Sequence, residues 1–229
     1  MRLVLLPGLD GTGRLFDRLE HALRGRIECL RMSYREVDRA GYEQFVDDVL
    51  SHIGSRPCVI LGESFSGPIA VEVATRAPQQ VCGLILAATF LRAPLPPWII
   101  RTGARLDHSR IPFPIIRYAM MGRNADEATA RDLAGVVKEL PTLTVRQRLI
   151  AVAGSDVTGM VRTINCPILA LHGRNDWIVP ASTVSSGLKN MPNATVKLVP
   201  GPHMLLQCKA PEMAELIVEF VDGLGSLHS

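Results

Sequence analysis

The chain lacks a long hydrophobic run at its start. Met1-Arg2-Leu3-Val4-Leu5-Leu6-Pro7 breaks off far short of a secretion signal or a membrane span. Net charge is only +3 over 229 residues, too small to point to nucleic acid, and no RNA- or DNA-binding signature accompanies it. The cysteines (Cys29, Cys58, Cys82, Cys166 and Cys208) are odd in number and form no Cys-x-x-Cys pair. Buried free thiols in a reducing compartment fit this usage better than a disulfide framework, so a cytoplasmic protein is expected. Metal-ligand spacing is missing too. His172 and Asp176 stand four apart, but a Gly-Arg-Asn loop separates them where a helix would be needed. No metal and no cofactor is expected, and no internal repeat or low-complexity tract is visible.

What is present is apolar and alternating. A hydrophobic content of 47% in a chain this long can bury one sizeable core, which predicts a single domain over residues 1–229. Short apolar runs at Leu3–Leu6, Ile27–Met32, Cys58–Leu61, Val81–Ala88, Ile168–Leu171 and Thr195–Val199 read as strands. Helical spacing falls between them, as in Phe45, Val46, Val49 and Ile53. Such alternation predicts a parallel sheet with right-handed crossovers. It is interrupted over residues 91–153, where six prolines punctuate helical pieces and no strand signal appears. This segment reads as an insertion at a strand end.

The chemistry centres on Gly62-Glu63-Ser64-Phe65-Ser66-Gly67, directly after the third strand. A serine on a tight strand-to-helix turn stands above the sheet edge, and the helix N-terminus behind it favours developing negative charge. The spacing departs from Gly-x-Ser-x-Gly by having Ser66 at the last position, and serine is small enough to be tolerated there. A serine hydroxyl needs an imidazole to take its proton and a carboxylate to orient that imidazole. Two later strand ends supply them: His172-Gly-Arg-Asn-Asp176-Trp-Ile-Val-Pro and Gly201-Pro202-His203. His172 is expected to be structural. Glu63 is expected to be a solvated or hydrogen-bonding neighbour without a proton-transfer role.

Together with the turn Leu6-Pro7-Gly8-Leu9-Asp10-Gly11-Thr12-Gly13, these motifs resemble the α/β-hydrolase superfamily over nearly the whole chain, with carboxylesterase-like features. That turn has neither the Lys-Ser/Thr of a P-loop nor dinucleotide spacing. The resemblance implies a six-stranded parallel sheet ordered second, first, third, fourth, fifth, sixth. It also implies a helical lid at 91–153 after the fourth strand and a catalytic set of Ser64, Asp176 and His203. The N-terminal antiparallel hairpin common in the family is expected to be missing, because nothing precedes Leu3 but two residues. With Pro7-Gly8 where the family has His-Gly, the N–H groups of Leu9 and Phe65 would form the oxyanion hole.

The implied activity is hydrolysis of carboxylic esters of apolar acyl groups, with Trp98, Phe113, Ile116, Tyr118, Met120 and Met121 lining the pocket. A nucleophilic serine argues against dehalogenase or epoxide hydrolase chemistry, for which relatives carry aspartate at the turn. Within 91–153 stand ten Lys and Arg against five Asp and Glu, a solvated face in the plain reading. Read more sharply, the arginines dock an acidic partner or phosphate. Esterases that demethylate a pimeloyl-carrier-protein ester are similar in size and bear arginines on the lid, a resemblance that implies an acidic acyl carrier protein as the partner. An acyltransferase and a non-catalytic ligand-binding protein of the same fold remain as alternatives.

Overall fold

In the computed structural model, residues 1–34, 41–123 and 126–225 are described. Strands β1 (Arg2–Leu6), β2 (Glu28–Arg31), β3 (Cys58–Glu63), β4 (Val81–Ala87), β5 (Ile168–Gly173) and β6 (Ala194–Val199) form one six-stranded sheet. Its order is β2-β1-β3-β4-β5-β6, as the family resemblance implies, and every pairing is parallel, as the alternation predicts. The edge strands β2 and β6 are partly exposed. β3 and β5 are buried along their whole length.

Burial on both faces explains why the central strands read as unbroken apolar runs. Side chains alternate across a strand, so each run feeds two cores. Val4, Leu6, Ile60, Leu84, Leu86 and Ile168 face one core. Helices α1 (Asp17–Leu23), α2 (Glu43–Ile53) and α3 (Gly67–Arg76) divide between the two sides. α2 and α3 cover this first face through Phe45, Val49, Ile69 and Val73. Leu3, Leu5, Val59, Leu61, Ile85 and Leu169 face the other core, which α1 closes with Leu19 and Leu23.

Between β4 and β5 the chain is helical: α4 (Pro97–Gly103), α5 (Phe113–Met121), α6 (Glu127–Glu139), α7 (Thr142–Ala153) and the short α8 (Thr158–Val161). Prolines stand at the start of α4 and α5, where a missing N–H costs nothing. Asp126 caps α6 by accepting from the N–H groups of Ala128 and Thr129. Helices α9 (Ser182–Leu188), α10 (Leu205–Cys208) and α11 (Ala210–Gly225) complete the fold, and α11 packs Met213, Ile217 and Leu224 against the second core beside α1. All five cysteines are free thiols, and burial pushes Cys29, Cys58, Cys166 and Cys208 up to about 11. Among the described residues no helix is long and apolar enough to cross a membrane.

Candidate active site

The turn after β3 is shaped by steric necessity. Ser64 has φ +48°, a left-handed conformation that costs a non-glycine residue on the order of 1–3 kcal/mol. Packing holds it there. A Cβ placed on Gly62 would lie 2.6 Å from the Ser66 carbonyl oxygen and 2.7 Å from Ala70 Cβ, so the strand and α3 can meet only at glycine. The Thr89 hydroxyl, just past β4, donates to the Ser64 carbonyl. The serine is therefore fixed from both sides while its own side chain stays partly exposed.

Ser64 Oγ lies 2.9 Å from His203 Nε2, and His203 Nδ1 lies 2.8 Å from Asp176 Oδ2. The three groups come from the loops after β3, β5 and β6, all at the carboxyl ends of the strands. This is where parallel sheets collect chemistry. The imidazole and the carboxylate are buried. Burial alone would raise the Asp176 carboxyl. The nearby His172 Nε2–H, the hydrogen bond from His203 and the Val179 N–H outweigh it and hold the group well below the usual carboxylate range. An ionised Asp176 only accepts, so Nδ1 of His203 carries the proton and Nε2 is left to accept from Ser64.

Asp176 also caps its own loop, because Oδ1 accepts from the N–H groups of Ile178 and Val179 at 2.9 Å each. Capping the loop and orienting the histidine are thus performed by the two oxygens of one carboxylate. His172 is structural: its Nε2–H donates to the Val179 carbonyl at 2.7 Å, with Asp176 Oδ2 at 3.4 Å. It closes the loop that carries Asp176.

Glu63 is buried, not solvated, and accepts from Gln207 Nε2 at 2.8 Å. Burial pushes its carboxyl up to about 7 against the lowering effect of that hydrogen bond. The contact ties β3 to α10, the short helix that begins two residues after His203. The reason for the burial is that β3 runs one residue past Gly62, so Glu63 is still a strand residue facing α10.

The loop after β1 runs alongside the serine, since a Cβ built on Gly8 would lie 3.8 Å from Ser64 Cβ. Leu9 is in this loop, and Phe65 is buried in the single 3-10 turn Ser64–Ser66. Of the apolar residues singled out between β4 and β5, Met121 is buried with Ala130, Leu133 and Met204. Phe113, Ile116 and Met120 pack partly buried against the same cluster, next in sequence to His203. Trp98 and Tyr118 are largely in solvent, at 70% and 52% exposure. Two open surface clefts of about 480 and 510 Å³ include neither Ser64 nor His203 among their lining residues.

One sequence expectation is corrected. Arg148 does not belong to a solvated or docking face. It is buried, and Nη1 donates to the Leu9 carbonyl at 2.6 Å. In sequence it is one cation among ten, and only the inward turn of α7 distinguishes it. The interior partners Thr89, Tyr34 and Gln207 likewise carry no motif, and their hydrogen bonds span long stretches of chain.

Residues 25–206 match the family model described as Serine aminopeptidase, S33. Among curated proteins, the chain is similar to the pimeloyl-(acyl-carrier protein) methyl ester esterase of Nitrosomonas europaea, at 26% identity over 77% of this chain and 80% of that protein. It is also similar to the magnesium-chelatase 30 kDa subunit of Rhodobacter capsulatus, at 23% identity over 96% of this chain and 87% of the other. Among solved structures, the enol-lactonase from Burkholderia xenovorans LB400 superposes with a TM-score of 0.84 at 17% identity, covering 96% of this chain and 90% of that one. The esterase from Exiguobacterium antarcticum gives 0.84 at 15% identity, covering 97% and 92%. At such identities the structural likeness establishes the fold, which is that of the α/β-hydrolases.

Proposed function

The chain belongs to the α/β-hydrolase family described as Serine aminopeptidase, S33, and from that premise we propose that it hydrolyses carboxylic esters of apolar acyl groups through an acyl-serine intermediate. The observation that carries this reading is the unbroken relay Ser64–His203–Asp176, at 2.9 and 2.8 Å, on the carboxyl rim of the sheet. Ser64 Oγ attacks the ester carbonyl as its proton passes to His203 Nε2. The N–H groups of Leu9 and Phe65 receive the oxyanion, and the alcohol leaves with the proton from His203. Water, deprotonated by the same imidazole, then cleaves the acyl-serine and releases the acid. Asp176 stays ionised throughout and stabilises the imidazolium.

Residues 91–153 act in this reading as a helical lid, and the whole of 1–229 is one domain. Trp98, Phe113, Ile116, Tyr118, Met120 and Met121 would supply the acyl pocket. Support comes from Met120, whose carbonyl accepts from the Met204 N–H at 2.9 Å and so ties α5 to the residue after His203.

A narrower version has the physiological ester carried by an acidic acyl carrier protein. The curated esterase relative and the exposed Arg101, Arg105, Arg123 and Arg146 of the insertion favour it. Methyl, nitrophenyl and carrier-protein esters of graded acyl length test both versions. Ser64→Ala should lower turnover on every active ester by about 10⁶-fold. Near-normal hydrolysis by that variant would end the assignment. Equal rates on carrier-bound and free methyl esters, insensitive to salt, would remove the carrier protein alone.

A further inference from the structure

An oxyanion donor is useful only if its N–H already points at the reacting carbonyl when charge develops. The Leu9 N–H belongs to the Gly8–Leu9 peptide, and a peptide is a rigid plane whose direction is set by the dihedrals on either side. The carbonyls flanking that plane belong to Pro7 and to Leu9 itself. Both are held by side chains from distant parts of the chain.

On the first side, the Ser66 hydroxyl donates to the Pro7 carbonyl. Its one proton is then committed, so the hydrogen bond with Tyr34 OH at 2.6 Å has the phenol donating to Ser66 Oγ. Burial pushes the Tyr34 phenol well above its ordinary value, which keeps the donor proton in place. On the other side, Arg148 Nη1 donates to the Leu9 carbonyl at 2.6 Å. Its guanidinium carbon lies 5.9 to 6.0 Å from the ring centroids of Tyr34, Phe45 and Phe65, close enough for cation–π attraction in a buried site. The loop itself is cut to fit this cation. Gly11 sits at φ +68°, and a Cβ there would come within 2.6 Å of Arg148 Nη2.

We propose that Ser66, backed by Tyr34, and Arg148 are positioning residues that clamp the two carbonyls around the Gly8–Leu9 peptide and so aim the Leu9 N–H at the oxyanion. The inference rests on the serine-hydrolase reading above and extends it. It gives a function to the departure from Gly-x-Ser-x-Gly: the hydroxyl at position 66 replaces conformational freedom with a hydrogen bond to the opposing loop. Arg148 also makes a helix of the insertion part of the catalytic floor.

The test uses the full chain and a short nitrophenyl ester, with Ser66→Gly, Tyr34→Phe and Arg148→Lys compared for kcat, KM, melting temperature and inhibition by a trifluoromethyl ketone. Such a ketone forms the tetrahedral oxyanion on the serine. Ser66→Gly and Arg148→Lys should each lower kcat by about 10- to 100-fold, less than or comparable to deleting a donor outright. KM should stay within about twofold, and ketone affinity should fall in step with kcat. Tyr34→Phe should lose less, and nothing further once Ser66 is already glycine, because it acts through that hydroxyl.

A purely structural role predicts lower melting temperatures with kcat and ketone affinity of the folded enzyme unchanged, and that result overturns the clamp. Should one variant fail to fold, the same criterion applied to the other two decides. Labelling of wild-type Ser64 by a fluorophosphonate separates the two levels of the argument. If Ser64 labels while Ser66→Gly keeps normal kcat, only the clamp is lost. If Ser64 is inert, the hydrolase reading fails and the clamp with it.

Discussion

The rim of the sheet and the helical insertion are built on opposite principles. At the rim, the proposed catalytic set and its supports are interlocked. Asp176 takes three donors on two oxygens with His172 Nε2 at 3.4 Å, Ser64 is held at φ +48° by its neighbours, and His203 is buried. In the insertion, large apolar side chains stand in solvent: Trp98, Leu106, Ile115, Tyr118 and Leu143 are all at least half exposed. Its charges pair across the surface, as in Arg117–Glu127 and Arg92–Asp156, where ion pairs add little stability. In the proposed reading the rim performs the chemistry, which needs fixed geometry, and the insertion selects the substrate, which needs an adaptable surface. Arg148 is the exception that joins them.

The contrast is broken most severely by changing the rim without changing its shape. Asp176→Asn keeps an oxygen for the Ile178 and Val179 N–H groups but offers an N–H to His203 Nδ1. The imidazole proton then moves to Nε2, which can no longer accept from Ser64. A loss of about 10⁴-fold in kcat with little change in melting temperature is expected. Steady-state kinetics beside thermal denaturation check this, and a loss below about tenfold would mean that Asp176 only caps its loop.

A smaller effect sharpens the rim's electrostatics. The Glu63 carboxyl, 4.5 when free, is raised to about 7 by burial. The unfolded chain therefore ionises it first, so folding stability is fully present below pH 4.5 and is lost as the pH rises through 7. The loss amounts to about 3 kcal/mol. Glu63→Gln removes the titration while leaving a partner for Gln207. Denaturant titrations at a series of pH values should show the variant gaining on the wild type between about pH 4.5 and 7 and holding a constant difference above. A difference independent of pH would place the carboxylate in contact with water.

The smallest effect lies in the insertion. Trp98→Ala should leave stability within about 0.5 kcal/mol, as for exposed sites generally. KM for a long-chain nitrophenyl ester should rise by up to about tenfold, with an acetyl ester unaffected, if the indole closes over the acyl chain. Equal KM changes for both esters would exclude Trp98 from acyl binding.

How far each region can be read from sequence follows the same division. The parallel sheet is legible in apolar runs that alternate with helical spacing, and the strand-end placing of Ser64, Asp176 and His203 in the small-residue turns, while the strand order comes from the resemblance those motifs carry. Gly62 is legible for a steric reason, since no larger residue fits against Ser66 and Ala70. Ser66 shows as a departure from a motif, but its bond to Pro7 does not, because hydrogen bonding between loops leaves no periodic trace. Arg148 and Leu9 are 139 residues apart, and a buried arginine has the same letter as an exposed one. Glu63 lay between two expectations, and the extra residue of β3 decided for burial and a hydrogen bond.

The central claim is that Ser64 is a nucleophile activated by His203. Treating the wild type and His203→Ala with a fluorophosphonate and mapping the adduct by peptide mass spectrometry tests it most directly. The account predicts stoichiometric modification of Ser64 in the wild type and labelling slowed by at least about 10³-fold in the variant. An unmodified Ser64, or equal labelling of both proteins, would contradict it.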